Sequence, residues 1–230
     1  MPPAPAPTPP ETVVLLHGIA MPAASMHRLA RTLAAAGYRV INLPYASRAL
    51  TLEQLARDYL PAQLRARGAD TAPRLHFVAH SMGGIVVRLY LQEHPPANLG
   101  RVVLLGPPNA GSAVADKLSL HAFWRWLVGP NLSRLGTATA DAVAPKLAPP
   151  DYELGIIAGR TSINPLFSHW QPGENDGVVG VASARLAGAR DFLVVPYSHT
   201  MMLWRAPVAA QVLAFLRTGR FTPPPPRSAD

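Results

Sequence analysis

The sequence predicts an α/β fold: three layers, α/β/α, built on a mostly parallel sheet of about six strands with a small cap insertion. Three observations predict it. Short runs of β-branched and aliphatic residues recur along the chain, and they are apolar throughout rather than at every second position. A strand covered on both faces has that composition. The segments between them place apolar residues three and four apart, the period of an amphipathic helix. The two kinds of segment alternate, which is the order of a parallel sheet with crossover helices.

TVVLLHG, Thr12 to Gly18, is the first strand and stops at glycine. Ser25 to Ala36 carries Met26, Leu29, Ala30 and Leu33 on one face, and Gly37 ends that helix. YRVINL is the second strand. Thr51 precedes Leu52, Leu55, Ala56, Tyr59 and Leu60, with Thr51 and Gln54 spaced for a capping box. RLHFVAH is a strand and MGGIVVRLYLQEH a helix. RVVLLG, ELGIIAG and DFLVVP are further strands, and a last helix runs roughly from Pro207 to Arg217. Residues 107–150 separate two strands by more than an ordinary crossover. They read either as a small cap over the strand ends or as an ordinary helix with longer loops.

The 230 residues suit one medium domain, spanning 11–220, between proline-rich stretches at 1–10 and 221–230 that are expected to be disordered tails. About half the residues, 49%, are hydrophobic, enough for a sizeable core. No apolar run reaches the length of a transmembrane helix, and the sequence as given starts with no signal peptide. Without cysteine, disulfides and thiolate chemistry are excluded. The formal net charge of +8 comes almost entirely from arginine, Lys117 and Lys146 being the only lysines. The arginines are scattered, so the clustered footprint of a nucleic-acid binder is absent. A diffuse positive field still favours approach to anionic surfaces, a membrane surface included. No ligand cluster argues for a metal.

In a parallel sheet, ligands bind at the carboxyl edge of the strands. The loops there hold the residues that acyl transfer needs. A serine hydroxyl needs an imidazole to take its proton, a carboxylate to fix the imidazole, and two N–H donors for the oxygen that becomes negative. Ser81, in Ala79-His80-Ser81-Met82-Gly83-Gly84, lies between a strand and a helix with small residues around it. It reads as the nucleophile or as a plain helix N-cap. His199 follows the last strand and is the candidate base, with His169 as rival. Asp176 in Glu174-Asn175-Asp176-Gly177 is the candidate acid, with Glu174 as runner-up. Ile19, after the first strand, and Met82, opening the helix, supply the candidate oxyanion N–H groups.

These residues resemble the α/β-hydrolase superfamily, in its lipase and esterase branch, from roughly Thr12 to Arg217. VVLLHG is similar to that family's oxyanion strand, and VAHSMGG to the nucleophile elbow of small bacterial lipases. NDGVV resembles the acid loop and SHT the histidine loop. GPPNAGS is similar to a stretch common in lipase-like members, with Pro107 in place of threonine. The resemblance implies Ser81 as nucleophile, Asp176 as acid, His199 as base, Ile19 and Met82 as oxyanion donors, and no cofactor.

The expected activity is hydrolysis of carboxylic esters, lipid-like or with an apolar acyl chain, through an acyl-enzyme. Phe123, Trp124, Trp126, Leu127, Leu166, Phe167, Trp170 and Met201 are the expected apolar surround of the substrate. The alternatives are an acyl-thioesterase, a phospholipase, or a catalytically silent binding protein on the same fold.

Overall fold

The computed structural model describes residues 9–137 and 140–222; most of both proline-rich tails lies outside the described residues. Six strands form one sheet: β1 (Thr12–Leu16), β2 (Arg39–Leu43), β3 (Leu75–His80), β4 (Leu99–Leu105), β5 (Leu154–Gly159) and β6 (Asp191–Val195). All pair in parallel, in the order β2-β1-β3-β4-β5-β6.

Neighbouring residues on each strand serve opposite layers. Val13 and Leu15 of β1, with Val78, Val103, Leu105 and Ile157, pack on α1 (His27–Ala35) and α8 (Ala206–Thr218) through Leu29, Leu33, Val208, Val212 and Phe215. Val14 and Leu16, with Phe77, Ala79, Val102, Leu104 and Ile156, meet α2 (Leu60–Ala66) and α3 (Met82–Glu93) through Leu60, Leu64, Ile85, Val86 and Leu89. The strands are therefore buried on both faces, as their unbroken apolar runs require. The capping box forms: Thr51 N donates to Gln54 Oε1 at 2.9 Å, and Gln54 N to Thr51 Oγ1 at 3.2 Å.

The core extends into the expected C-terminal tail. Phe221 is buried, its ring 5.0 Å from that of Phe215, and its N–H donates to Asp191 Oδ2 at 2.8 Å. Between β4 and β5 stand two short helices, α4 (Ala113–Ser119) and α5 (Ala122–Val128), followed by single 3₁₀ turns. Two more short helices precede β6: α6 (Pro165–Trp170) and α7 (Val181–Ala184). Neither is marked by a long apolar period in the sequence.

The strand order reverses direction between β1 and β3. Crevices in open parallel sheets lie at such a switch point, outside the carboxyl ends of the strands. Leu16 of β1 is level with Ala79 of β3, and His80 is level with Leu105 of β4. The loops that follow these strands thus emerge side by side.

Candidate active site

Ser81 follows β3 directly. Its backbone has φ 54° and ψ −124°, a conformation that costs an L-residue energy and persists only when its surroundings impose it. The surroundings are tight. Ser81 N donates to Leu105 O at 2.9 Å, Gly84 N donates to Ser81 O at 2.9 Å, and a Cβ on Gly83 would stand 2.7 Å from His17 O. Only glycine lets α3 start this close to β1. Although Ser81 occupies the N-cap position, its hydroxyl makes no capping hydrogen bond. The plain N-cap reading of the sequence therefore leaves both the strain and the uncommitted hydroxyl unexplained.

Asp176 lies in the loop after β5 and His199 in the loop after β6. Both are buried, and His199 Nδ1 donates to Asp176 Oδ2 at 2.7 Å. The second carboxylate oxygen, Oδ1, accepts from Val178 N at 3.0 Å and Val179 N at 2.8 Å. The backbones are tied as well, since His199 N donates to Asp176 O at 3.0 Å. Gly106, just past β4, makes room: a Cβ there would stand 3.1 Å from both Asp176 Oδ2 and His199 Nδ1. The rivals are elsewhere. Glu174 is exposed and pairs with Arg160 at 3.7 Å, and His169 is exposed on α6. Among the described residues, neither Ile19 N nor Met82 N donates to a protein acceptor, so both remain available to a ligand.

The sequence did not single out His80, which joins these parts. It is fully buried, its ring lies 4.6 Å from that of His199, and its Nε2–H donates to His199 O at 2.9 Å. That leaves Nδ1 without a hydrogen atom and without a partner. Gly18 accommodates the ring, for a Cβ there would meet His80 Nδ1 at 2.9 Å. On the other side, His17 stacks on Tyr45 with centroids 4.0 Å apart, its Nδ1 donating to Gly18 O at 2.8 Å.

Burial lowers the pKa of His80 well below its ordinary value, and lowers those of His17 and His76 too. All three therefore fold neutral, while the unfolded chain protonates them near pH 6.5. The unfolded state then binds more protons, so the stability they contribute is present above about pH 6.5 and lost as pH falls below it. Thermal unfolding should accordingly shift several degrees downward between pH 7.5 and 5.5. A flat profile there would mean that these imidazoles are not neutral in the fold.

A cavity of about 200 Å³ opens at Ser81. Its walls are almost wholly apolar: Ile19, Val114, Leu118, Val128, Leu132 and Leu135 are among them. A second cleft, of about 180 Å³, is lined by His199 and Asp176 with Ile163, Asn164, Ser198 and Thr200. Phe167 and Val178 belong to both. Of the aromatic and apolar residues expected around a substrate, only Phe167 lines either space. Phe123 and Trp126 on α5 and Leu166 on α6 are exposed, Trp124 packs against the core, and Met201 lies outside both linings. No residue of α5 is fully buried: Phe123 and Trp126 face solvent, while Trp124 turns toward the core and Val128 toward the cavity. Ser112, from the Gly106–Ser112 stretch, ties α4 to the loop that carries Asp176: its hydroxyl donates to Val178 O at 2.6 Å while capping α4 at Ala115 N.

A family model described as the alpha/beta hydrolase fold matches residues 11–129. Among solved structures, the chain is similar to the mature lipase BlEst2 of Bacillus licheniformis, with TM-score 0.74, 20% identity and 94% of each chain covered. It is also similar to the phospholipase PlaB of Legionella pneumophila, with TM-score 0.67 and 17% identity over 91% of this chain and 60% of that one. A metagenomic carboxyl esterase, MGS0156, aligns with TM-score 0.63 and 19% identity over 86% of this chain and 67% of its own. At these identities the likeness is one of fold. No curated protein matches the chain.

Proposed function

The chain belongs to the alpha/beta hydrolase fold family, and on that premise we propose that it is a serine hydrolase that cleaves carboxylic esters with an apolar acyl group. The observation that carries this reading is the backbone of Ser81: a non-glycine residue held at φ 54°, its hydroxyl unused by the fold, at the mouth of an apolar cavity. Strain of this kind persists where position matters more than local stability.

In this mechanism Ser81 Oγ attacks the acyl carbon, and His199 Nε2 takes the hydroxyl proton. Asp176 keeps the proton of His199 on Nδ1, which leaves Nε2 free to accept, and stabilises the imidazolium that forms. The N–H groups of Ile19 and Met82 receive the oxyanion, and the positive end of α3 supports it. The tetrahedral intermediate collapses as His199 gives its proton to the leaving alcohol. His199 then activates water, and the acyl-enzyme is hydrolysed.

The two spaces divide the substrate. The leaving alcohol must lie beside His199, which protonates it, and so over the cleft bearing Asn164 and Thr200. The acyl chain then enters the cavity beside Ile19 and Ser81. At about 200 Å³ that cavity is smaller than a drug-sized site, which favours short to medium acyl chains. Exposed Phe123, Trp126, Ile163 and Leu166 sit on or beside helices that line these spaces, which suits a lipid-like ester better than a polar one.

A fluorophosphonate probe tests the reading. Ser81 should be phosphonylated, and p-nitrophenyl esters should be hydrolysed with an optimum at short to medium acyl length and faster than matching acyl-thioesters. A preference for thioesters would move the substrate class. Absence of the adduct would favour a silent binding protein.

A further inference from the structure

Ile19, the proposed oxyanion donor from β1, stands beside a second strained residue. Ala20 has φ 54°, and it and Ser81 are the two non-glycine residues at positive φ among the described residues. Met21 N donates to Gly18 O at 3.3 Å and closes a turn whose third residue is Ala20, the position where such a turn needs positive φ. A second hydrogen bond ties that turn to the chain beyond it: Ala20 N donates to Ser47 Oγ at 3.0 Å.

Ser47 is itself fixed. It is buried, and its carbonyl accepts from Asn131 Nδ2 at 3.2 Å. Asn131 is wholly buried in the cap segment just past α5. It donates also to Leu50 O at 2.7 Å and accepts from Leu52 N at 3.0 Å, so its amide staples the cap to the chain between β2 and α2. A continuous path of hydrogen bonds thus runs from the cap through Ser47 to the peptide between Ile19 and Ala20. The same cap segment lines the acyl cavity with Val128 and Leu132, on either side of Asn131.

We propose that Ser47, anchored by Asn131, is a positioning residue that aims the Ile19 N–H into the site by pinning the Ile19–Ala20 peptide and so keeping the turn from Gly18 to Met21 closed. The inference rests on the hydrolase reading above. Pinning that peptide plane, together with the positive φ of Ala20, fixes Ile19 on its C-terminal side. Its own N–H lies in the preceding peptide, whose carbonyl, Gly18 O, accepts from His17 Nδ1 at 2.8 Å and, across the turn, from Met21 N at 3.3 Å. Without the tie, Ala20 relaxes toward negative φ, the bond from Met21 N to Gly18 O opens, and the peptide that carries the donor turns away from where the oxyanion forms. The effect falls on the transition state, because only there does the carbonyl oxygen carry full charge.

Deleting an oxyanion donor outright costs about 10²–10³ in kcat, so misaiming one should cost about tenfold. In Ser47→Ala, kcat for a p-nitrophenyl ester should fall about tenfold with KM within twofold. The loss should be equal at every pH tested, since no titrating group is involved. Adding Ala20→Gly should restore most of the rate, because glycine takes positive φ without strain. Amide hydrogen exchange supplies a readout independent of turnover: the Ala20 N–H should exchange faster in Ser47→Ala. An unchanged kcat, a change confined to KM, a loss that Ala20→Gly does not restore, or unchanged exchange at Ala20 would each overturn the proposal. A wild-type protein without turnover or Ser81 labelling would sink the hydrolase reading instead, leaving the exchange experiment to decide whether Ser47 holds the turn.

Discussion

Ser81→Ala should lower kcat for ester hydrolysis by a factor of about 10⁴ to 10⁶ and leave the protein folded. Both halves of the expectation come from the geometry. The hydroxyl makes no capping hydrogen bond and lies at a cavity mouth, so removing it strands no buried partner. Alanine also tolerates φ 54° no worse than serine does, and the backbone bonds from Ser81 N and to Ser81 O remain. The melting temperature should therefore stay within a few degrees of the wild type. Ser81→Gly should be equally inactive yet more stable than Ser81→Ala, because glycine alone is at ease with that φ. Steady-state rates with a p-nitrophenyl ester and thermal unfolding of the two variants provide the check. Turnover retained in Ser81→Ala would remove Ser81 from the chemistry. Stability lost in Ser81→Ala would return it to a structural role.

The fold was legible because its signals are local and repeated. Each strand run ends at or within a few residues of its expected boundary, and the capping box at Thr51 appears where the spacing put it. The candidate residues at Ser81, Asp176 and His199 were legible for a related reason. In a parallel sheet every strand's end faces the same edge, so being just past a strand is already a three-dimensional statement. The surround of the cavity carried no such signal. Val114, Leu118, Leu132 and Leu135 are small aliphatics that look in sequence like any core residue. Conversely Phe123 and Trp126 look like pocket lining, yet a helix as short as α5 has no period long enough to show which side faces in. The supports were hidden too. Gly106 is needed because Asp176 and His199 meet beside it, and Asn131 because a loop 79 residues earlier needs an anchor. Such demands exist only after the chain has closed on itself.

Asp176→Asn isolates the carboxylate's charge and its acceptor geometry from its bulk. The wild-type Oδ1 is held by two backbone N–H donors, Val178 and Val179, so an asparagine will keep its carbonyl oxygen there. That orientation turns the amide NH₂ toward His199 Nδ1, where Oδ2 now accepts. Two donors cannot face each other, so the imidazole must move its proton to Nε2. In that tautomer Nε2 can no longer accept the Ser81 proton, and the imidazolium loses its counter-charge. The expected loss in kcat is about 10⁴, the scale seen when a triad carboxylate is replaced by its amide. Folding should survive, since the turn bonds and the link from His199 N to Asp176 O are kept. ¹⁵N NMR of His199 should show the proton on Nδ1 in the wild type and on Nε2 in Asp176→Asn. Glu174→Gln is the matched control: Glu174 is exposed and 3.7 Å from Arg160, and its loss should change kcat less than twofold. A severe Glu174→Gln beside a mild Asp176→Asn would transfer the acid's role to Glu174. It would also require the acid loop to rearrange before catalysis, because in the present arrangement His199 Nδ1 has already committed its hydrogen bond to Asp176.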